Sequence, residues 1–106
     1  MMTISNHDEL ITNSKNNPNT LCVVDFYATW CGPCKLLAEV IPEWKKEFTT
    51  VAFFKVDVDD ENHESTVSIH NISSLPSVLF LKNGVTLNLI SGFQKDVIHA
   101  NISLHK

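Results

Sequence analysis

Two patterns of apolar residues run along the chain. Residues 21–28 and 51–58 are largely apolar runs, rich in β-branched and aromatic side chains, which is typical of parallel strands covered on both faces. Between these runs, four large apolar residues recur at spacings of four, three and four, namely Leu37, Ile41, Trp44 and Phe48. This spacing places them on one face of an amphipathic helix. The pattern therefore predicts a strand, a helix and a second strand.

The N-terminal segment predicts two short elements and a loop. Residues 2–4 can form a short first strand, and Ser5 can cap a short helix that carries Leu10 and Ile11. Residues 13–19 contain four Asn and one Pro. Because Asn and Pro favour turns over helix, we expect a loop over that stretch.

A hairpin is predicted near the C-terminus. Residues 77–82 and 85–90 have the composition of strands, and Asn83-Gly84 joins them. Asn-Gly is the strongest short hairpin signal, because both turn positions require a positive φ.

Two further helices complete the pattern. The segment 60–70 predicts a short, polar helix whose only apolar residues are Val67 and Ile69, and Asn71 suits the left-handed position that often ends a helix. A last helix starts near Lys95. The element order is then β-α-β-α-β-α-β-β-α. Alternating strands and helices imply right-handed parallel crossovers. We therefore expect an α/β fold with one mixed five-stranded sheet flanked by four helices.

Composition and charge narrow the class of protein. The 106 residues are 43% hydrophobic and 19% charged, which predicts one globular domain over 1–106. The net charge is −4 and the chain has no Arg, which disfavours nucleic acid as a partner. No apolar run reaches the ~18–20 residues of a membrane span, and the first residues do not resemble a signal peptide. We therefore expect a cytoplasmic monomer that does not bind membranes.

The candidate chemistry lies in the segment Trp30-Cys31-Gly32-Pro33-Cys34-Lys35, between a buried strand and an amphipathic helix. A cysteine at the start of a helix meets unpaired N–H groups and the positive end of the helix dipole. Both stabilise a thiolate, so its pKa should fall below the free value of ~8.5. Pro33 suits the first helical turn, and Gly32 leaves room for the backbone of a partner.

A structural zinc site is the alternative for this pair. Zinc needs four ligands, usually from a second pair at a defined spacing, but Cys22 stands alone and neither His63 nor His70 has a suitable partner. We expect Cys22 to be a small core residue, the five His to lie on the surface and the chain to hold no metal. A Cys-x-x-Cys pair near a βαβ pattern favours redox chemistry.

Asp25 is unusual because it lies inside an apolar strand, six residues before Cys31. A buried carboxylate is costly unless it is protonated or paired. With a raised pKa it can accept and return a proton from a thiol near neutral pH. The alternative is a structural pair between Asp25 and Lys55, and in the redox interpretation Lys55 tunes the pKa.

The chain resembles the thioredoxin family in several segments. The segment 25–35 is similar to the family's active-site strand and helix start, and 56–60, 74–77, 82–84 and 91–92 are similar to its later landmarks, in the same order. The resemblance implies the thioredoxin fold and dithiol-disulfide exchange on protein disulfides, in electron transport and cell redox homeostasis. It implies no bound cofactor, since NADPH would act indirectly through a flavoprotein, thioredoxin reductase.

The resemblance also implies roles for individual residues. Cys31 would be the attacking thiolate, Cys34 the resolving thiol and Asp25 the proton acceptor. Pro76 would follow a cis peptide bond, and the backbone of Leu75 would pair with an extended substrate. The other residues of the expected docking surface are Trp30, Gly32, Pro33, Gly92 and Phe93. For Pro76 a simple strand-entry role is the alternative, and for Phe93 it is core packing.

Three departures from the family pattern concern the framework. Glu39 occupies the position of the usual kink proline, and Pro42 lies three residues further on, where it must free the carbonyl of Ala38. Ser77 replaces a Thr after the proline, and the segment 60–76 is about one residue longer than in the family. None of these departures removes a reacting group.

The sequence therefore predicts a protein disulfide reductase. One alternative is an oxidase or isomerase of the same fold that works in an oxidising compartment. The other is a binding module without catalytic activity. The intact cysteine pair argues against the binding module.

Overall fold

A five-stranded sheet forms the centre of the structure, a computed structural model that describes residues 1–106. The strands are β1 (Met2–Thr3), β2 (Cys22–Tyr27), β3 (Ala52–Asp57), β4 (Ser77–Lys82) and β5 (Val85–Ser91). Their order in the sheet is β1-β3-β2-β4-β5. β3 pairs in parallel with both β1 and β2, and β4 is antiparallel to β2 and to β5.

Four helices flank this sheet: α1 (His7–Asn16), α2 (Gly32–Glu47), α3 (Glu64–Ile69) and α4 (Lys95–His105). A 3₁₀ turn over Glu61–His63 precedes α3. The structure confirms the mixed five-stranded sheet and the four helices in the expected order. None of the helices is both long and apolar enough to cross a membrane.

Two apolar cores lie on opposite faces of the sheet. Successive side chains of a strand point to opposite faces, so β2 places Val23 in one core and Val24 in the other. The core around Val23 packs against α2 and α4, and the core around Val24 packs against α1. Each fully buried large apolar side chain contributes roughly 1.5–3 kcal/mol relative to exposure, so both faces hold β2 in place.

Helix α1 differs from its prediction at both ends. Asn6, not Ser5, is the N-cap, and its side chain accepts a hydrogen bond from the Glu9 N–H at 2.9 Å. The helix continues to Asn16, so the loop expected over 13–19 is wrong for its first four residues. Ser14 is fully buried and its hydroxyl accepts a hydrogen bond from the Gly84 N–H at 2.9 Å. This tertiary contact stabilises the end of the helix, although the local preference for helix is weak there.

Helix α2 runs without interruption through Pro42. The four large apolar residues predicted for its inner face are all buried, including Trp44 at 4% exposure and Phe48 directly after the helix. The Phe48 N–H donates to the Trp44 carbonyl at 2.8 Å and closes the last turn. The predicted amphipathic face is confirmed.

The segment around α3 buries two polar residues. His63 and Thr66 are buried, whereas Ile69 is 54% exposed. The expectation that all five His lie on the surface is therefore wrong for His63, because a residue in a polar segment gives no sequence signal of burial. Asn71 has a φ of 54°, which confirms its predicted left-handed conformation.

The β4–β5 hairpin has the predicted turn. Asn83 and Gly84 have φ values of 51° and 73°, which Asn and Gly tolerate best. A Cβ at Gly84 would lie 2.8 Å from the side chain of Lys15, so α1 packs closely against this turn.

Candidate active site

The two cysteines lie where β2 ends and α2 begins. Cys31 is the N-cap residue of α2, and Cys34 lies in the first turn. Their sulfurs form a disulfide, with the Cα atoms 5.3 Å apart. The Cys31 sulfur accepts a hydrogen bond from the Cys34 N–H at 3.2 Å. In the reduced protein, this N–H and the helix dipole would stabilise negative charge on Cys31.

The pair lies at the edge of the core. Cys31 is 6% and Cys34 3% exposed. With Ala28 they form a small apolar cluster, against which Tyr27, Val58 and Leu75 pack. Cys31, the more exposed of the two, is thus better placed to meet a partner.

Trp30 projects beside the pair. The indole is 70% exposed, and its N–H donates a hydrogen bond to the Asp59 carboxylate at 2.8 Å. Sequence reasoning missed Asp59. The predicted topology could have placed Asp59 near the pair, since the carboxyl ends of the parallel strands β2 and β3 meet at one edge of the sheet.

The loop before β4 brings a third segment to the pair. The Leu75–Pro76 peptide bond is cis, as expected for Pro76. The Leu75 side chain packs against the cysteine cluster. The Pro76 carbonyl accepts a hydrogen bond from the Gly92 N–H at 2.7 Å, and Gly92 has a φ of 84°. Cys31, Leu75, Pro76 and Gly92 therefore form one continuous region.

The other residues of the predicted docking surface have different surroundings. Gly32 and Pro33 are exposed at the start of α2, whereas Pro76 is buried. Phe93 packs against the core beneath α2 and α4, which favours the packing alternative for this residue. Pro76, which is buried, and Phe93, which is partly buried, can contribute to the predicted docking surface mainly by shaping its backbone.

Asp25 lies below the pair in the middle of β2. The residue is 2% exposed, and its Oδ1 atom has no hydrogen-bond partner. It borders a cavity of about 130 Å³, which Cys34 and Lys55 also line. Burial raises the pKa of Asp25 to about 7, against an opposing effect of the positive charge on Lys55. Near neutral pH the carboxyl is thus poised to exchange a proton.

Lys55 lies opposite Asp25 in the register of β2 and β3. It makes no close ion pair with Asp25, because the salt bridges of the structure involve only His63 with Asp60 and His99 with Glu47. This favours the tuning role of Lys55 over a structural pair.

The remaining candidate groups lie apart from this region. Cys22 is a free, buried thiol, as predicted for a core residue, and burial raises its pKa. No three His, Cys, Asp or Glu side chains come together in a geometry that could hold a metal ion.

Comparisons with known proteins agree with this geometry. The family model described as Thioredoxin matches residues 1–103. The chain is 36% identical to Thioredoxin H-type of Fagopyrum esculentum over 103 residues, which cover 97% of this chain and 86% of that protein. It is 39% identical to Thioredoxin H1 of Arabidopsis thaliana over 90 residues, with 85% and 77% covered. The solved structure of Fasciola hepatica thioredoxin superimposes with a TM-score of 0.92 at 32% identity, and both chains are fully covered.

Proposed function

Because the chain belongs to the thioredoxin family and is a thiol-disulfide oxidoreductase that reduces protein disulfides, we propose that Cys31, Cys34 and Asp25 carry its reaction. The observation that carries this proposal is the arrangement of the three residues. A cysteine pair at the start of α2 adjoins a cavity that also holds a buried carboxyl group, whose pKa is about 7.

The first step is attack on the substrate disulfide. The Cys31 thiolate forms a bond with one substrate sulfur, and the other substrate sulfur leaves as a thiolate that takes up a proton. The product is a mixed disulfide between the substrate and Cys31. The Cys34 N–H and the α2 dipole favour Cys31 as the nucleophile, since they stabilise negative charge on a sulfur at this position.

The second step resolves the mixed disulfide. Cys34 gives its proton to the ionised Asp25 and attacks the Cys31 sulfur, which breaks the bond to the substrate. The second substrate thiolate then leaves and is protonated. Two electrons pass from the cysteine pair to the substrate, and Cys31 and Cys34 end as a disulfide.

Substrate binding in the proposal uses the docking surface around the pair. Neither the N–H nor the carbonyl of Leu75 has a backbone partner within the chain. Both groups are thus free to pair with an extended substrate segment. Trp30, Gly32 and Pro33 would contact the substrate on the α2 side, and Gly92 on the β5 side, with Phe93 behind it.

Turnover requires a source of electrons. We assign this role to an NADPH-dependent flavoprotein, thioredoxin reductase, so that the chain uses NADPH only indirectly and takes part in electron transport. The proposed setting is the cytoplasm, where glutathione and reductases keep thiols reduced. We propose that the chain acts there as a monomer.

The order of attack can be tested by trapping. In the Cys34→Ser variant the first step proceeds and the second cannot, so a mixed disulfide through Cys31 should accumulate with insulin or another disulfide protein. Mass spectrometry after acid quenching would identify the adduct. The Cys31→Ser variant is the matched control and should form none. If Cys31→Ser instead forms an adduct through Cys34 and Cys34→Ser forms none, the assigned order is wrong.

A further inference from the structure

The start of the chain contributes to the cavity at Asp25. In β1, Met2 pairs with Phe54 and Thr3 with Lys55. Successive side chains point to opposite faces of a sheet, so Met1 shares the face of Thr3 and Lys55. The Met1 side chain packs against the core beneath α2, whereas Met2 is 51% exposed.

Met1 also lines the cavity that Asp25 shares with Cys34 and Lys55. Tyr27 and Ala38 complete the lining. The volume of about 130 Å³ is ample for ordered water, since one water needs only ~10–15 Å³. The side chains that line the cavity therefore determine how well the Asp25 carboxylate is hydrated.

Several titratable groups face this carboxyl. Lys55 faces it from β3, Cys34 from α2 and Tyr27 from its own strand β2, while the opposite position on β4 is the apolar Val78. The Met1 amino group lies beside Lys45. Lys55 favours the ionised carboxyl and burial disfavours it, so the poor hydration of Asp25 is what makes the neutral form competitive.

We propose that Met1 is a positioning residue for disulfide exchange, because its side chain lines the cavity between Asp25, Lys55 and Cys34 and limits the access of water to the Asp25 carboxyl. This inference rests on the proposed role of Asp25 as proton acceptor. Met1 touches no reacting atom and acts only through the hydration of Asp25.

The test compares Met1→Ala with Met2→Ala. All chains are released from the same cleavable fusion, so that they share the residue left before position 1. Carbon-detected NMR of the side-chain carboxyl of Asp25 in the reduced protein gives its pKa directly. We expect Met1→Ala to lower the Asp25 pKa by about 0.5–1 unit, since added water favours the charged form. The pH midpoint of the resolving step should fall by the same amount.

Two controls show whether the effect is specific. Met2→Ala removes an equal side chain from the opposite face and should leave the Asp25 pKa unchanged. Met1→Leu restores an apolar cover and should keep the pKa close to that of the parent. If Met1→Ala disrupts the pairing of β1 with β3, Met1→Leu provides a variant in which that pairing is kept.

The outcomes separate this inference from the proposed function. If the Asp25 pKa is raised in the parent but unchanged in Met1→Ala, the role of Met1 is refuted and that of Asp25 stands. An equal fall in Met1→Ala and Met2→Ala also refutes it. An ordinary Asp25 pKa in the parent refutes both.

Discussion

The Asp25 carboxyl lies where water hydrates it poorly. Its pKa of about 7, compared with an ordinary value of 3.8, reflects the cost of ionising a group inside β2. Three pKa units correspond to about 4 kcal/mol. The folded protein bears this cost at neutral pH, which agrees with the proposed role of Asp25 in proton transfer.

This cost makes stability depend on pH in a defined direction. The pKa of Asp25 is higher in the folded state than in the unfolded state, so between pH 4 and 7 the folded state binds more protons. The free energy of unfolding therefore falls as pH rises through this window. Below it, both states are protonated and the penalty disappears.

We predict that Asp25→Asn stabilises the oxidised protein at pH 8 by up to about 4 kcal/mol. The amide has nearly the same shape and cannot ionise, so this gain should shrink steadily toward pH 4. Urea unfolding of parent and variant from pH 4 to 8 measures it. A difference that does not vary with pH would show that the Asp25 pKa is not raised.

The local sequence pattern was sufficient to predict those helices, strands and turns whose packing agrees with it. The apolar run of β2 and the helical spacing from Leu37 to Phe48 each report burial directly, and the Asn83-Gly84 turn reports its own φ values. The last four residues of α1 could not be predicted, because Ser14 is held by a hydrogen bond to Gly84, 70 residues away. His63 is buried although the segment around it is polar, a composition typical of exposed segments.

This contact between α1 and the hairpin gives a prediction for stability. In Ser14→Ala the partly buried Gly84 N–H loses its acceptor, and a hydrogen bond of this kind contributes roughly 0.5–1.5 kcal/mol. We expect a loss of that size in the free energy of unfolding, together with faster hydrogen exchange at the Gly84 amide. Thr12→Ala, at an exposed position of the same helix, is the control and should change neither. Slow exchange at Gly84 in Ser14→Ala would show that the hydroxyl is not its main acceptor.

The candidate site was only partly predictable from the chain. Cys31 and Cys34 stand out in the sequence as a Cys-x-x-Cys pair. Asp25 stands out as an acidic residue within an apolar strand. Asp59 and Met1 carry no such local signal. Their places near the site follow from strand order, which sequence spacing does not reveal.

The whole molecule gathers these residues by its topology. β2 and β3 are parallel, so the segments that follow them meet at one edge of the sheet, and the cysteine pair and Asp59 lie there. β4 is antiparallel to β2 and therefore starts at this edge, which brings Pro76 to it, and β5 ends there with Gly92 next to it. One edge of the sheet thus holds the proposed nucleophile and the proposed docking surface.

The proposed electron donor is a second protein, a reductase. It would have to recognise the edge of the sheet that holds the cysteine pair, so this prediction concerns the whole molecule. We predict that the chain supports insulin reduction when NADPH and a thioredoxin reductase are supplied, measured as NADPH oxidation at 340 nm. Cys31→Ser should reduce the rate to background, because it removes the attacking sulfur. A parallel assay with NADPH, glutathione and glutathione reductase should give little reduction. If the glutathione assay is the faster one, the assignment of thioredoxin reductase as the electron donor is wrong, although the chemistry of the cysteine pair would remain.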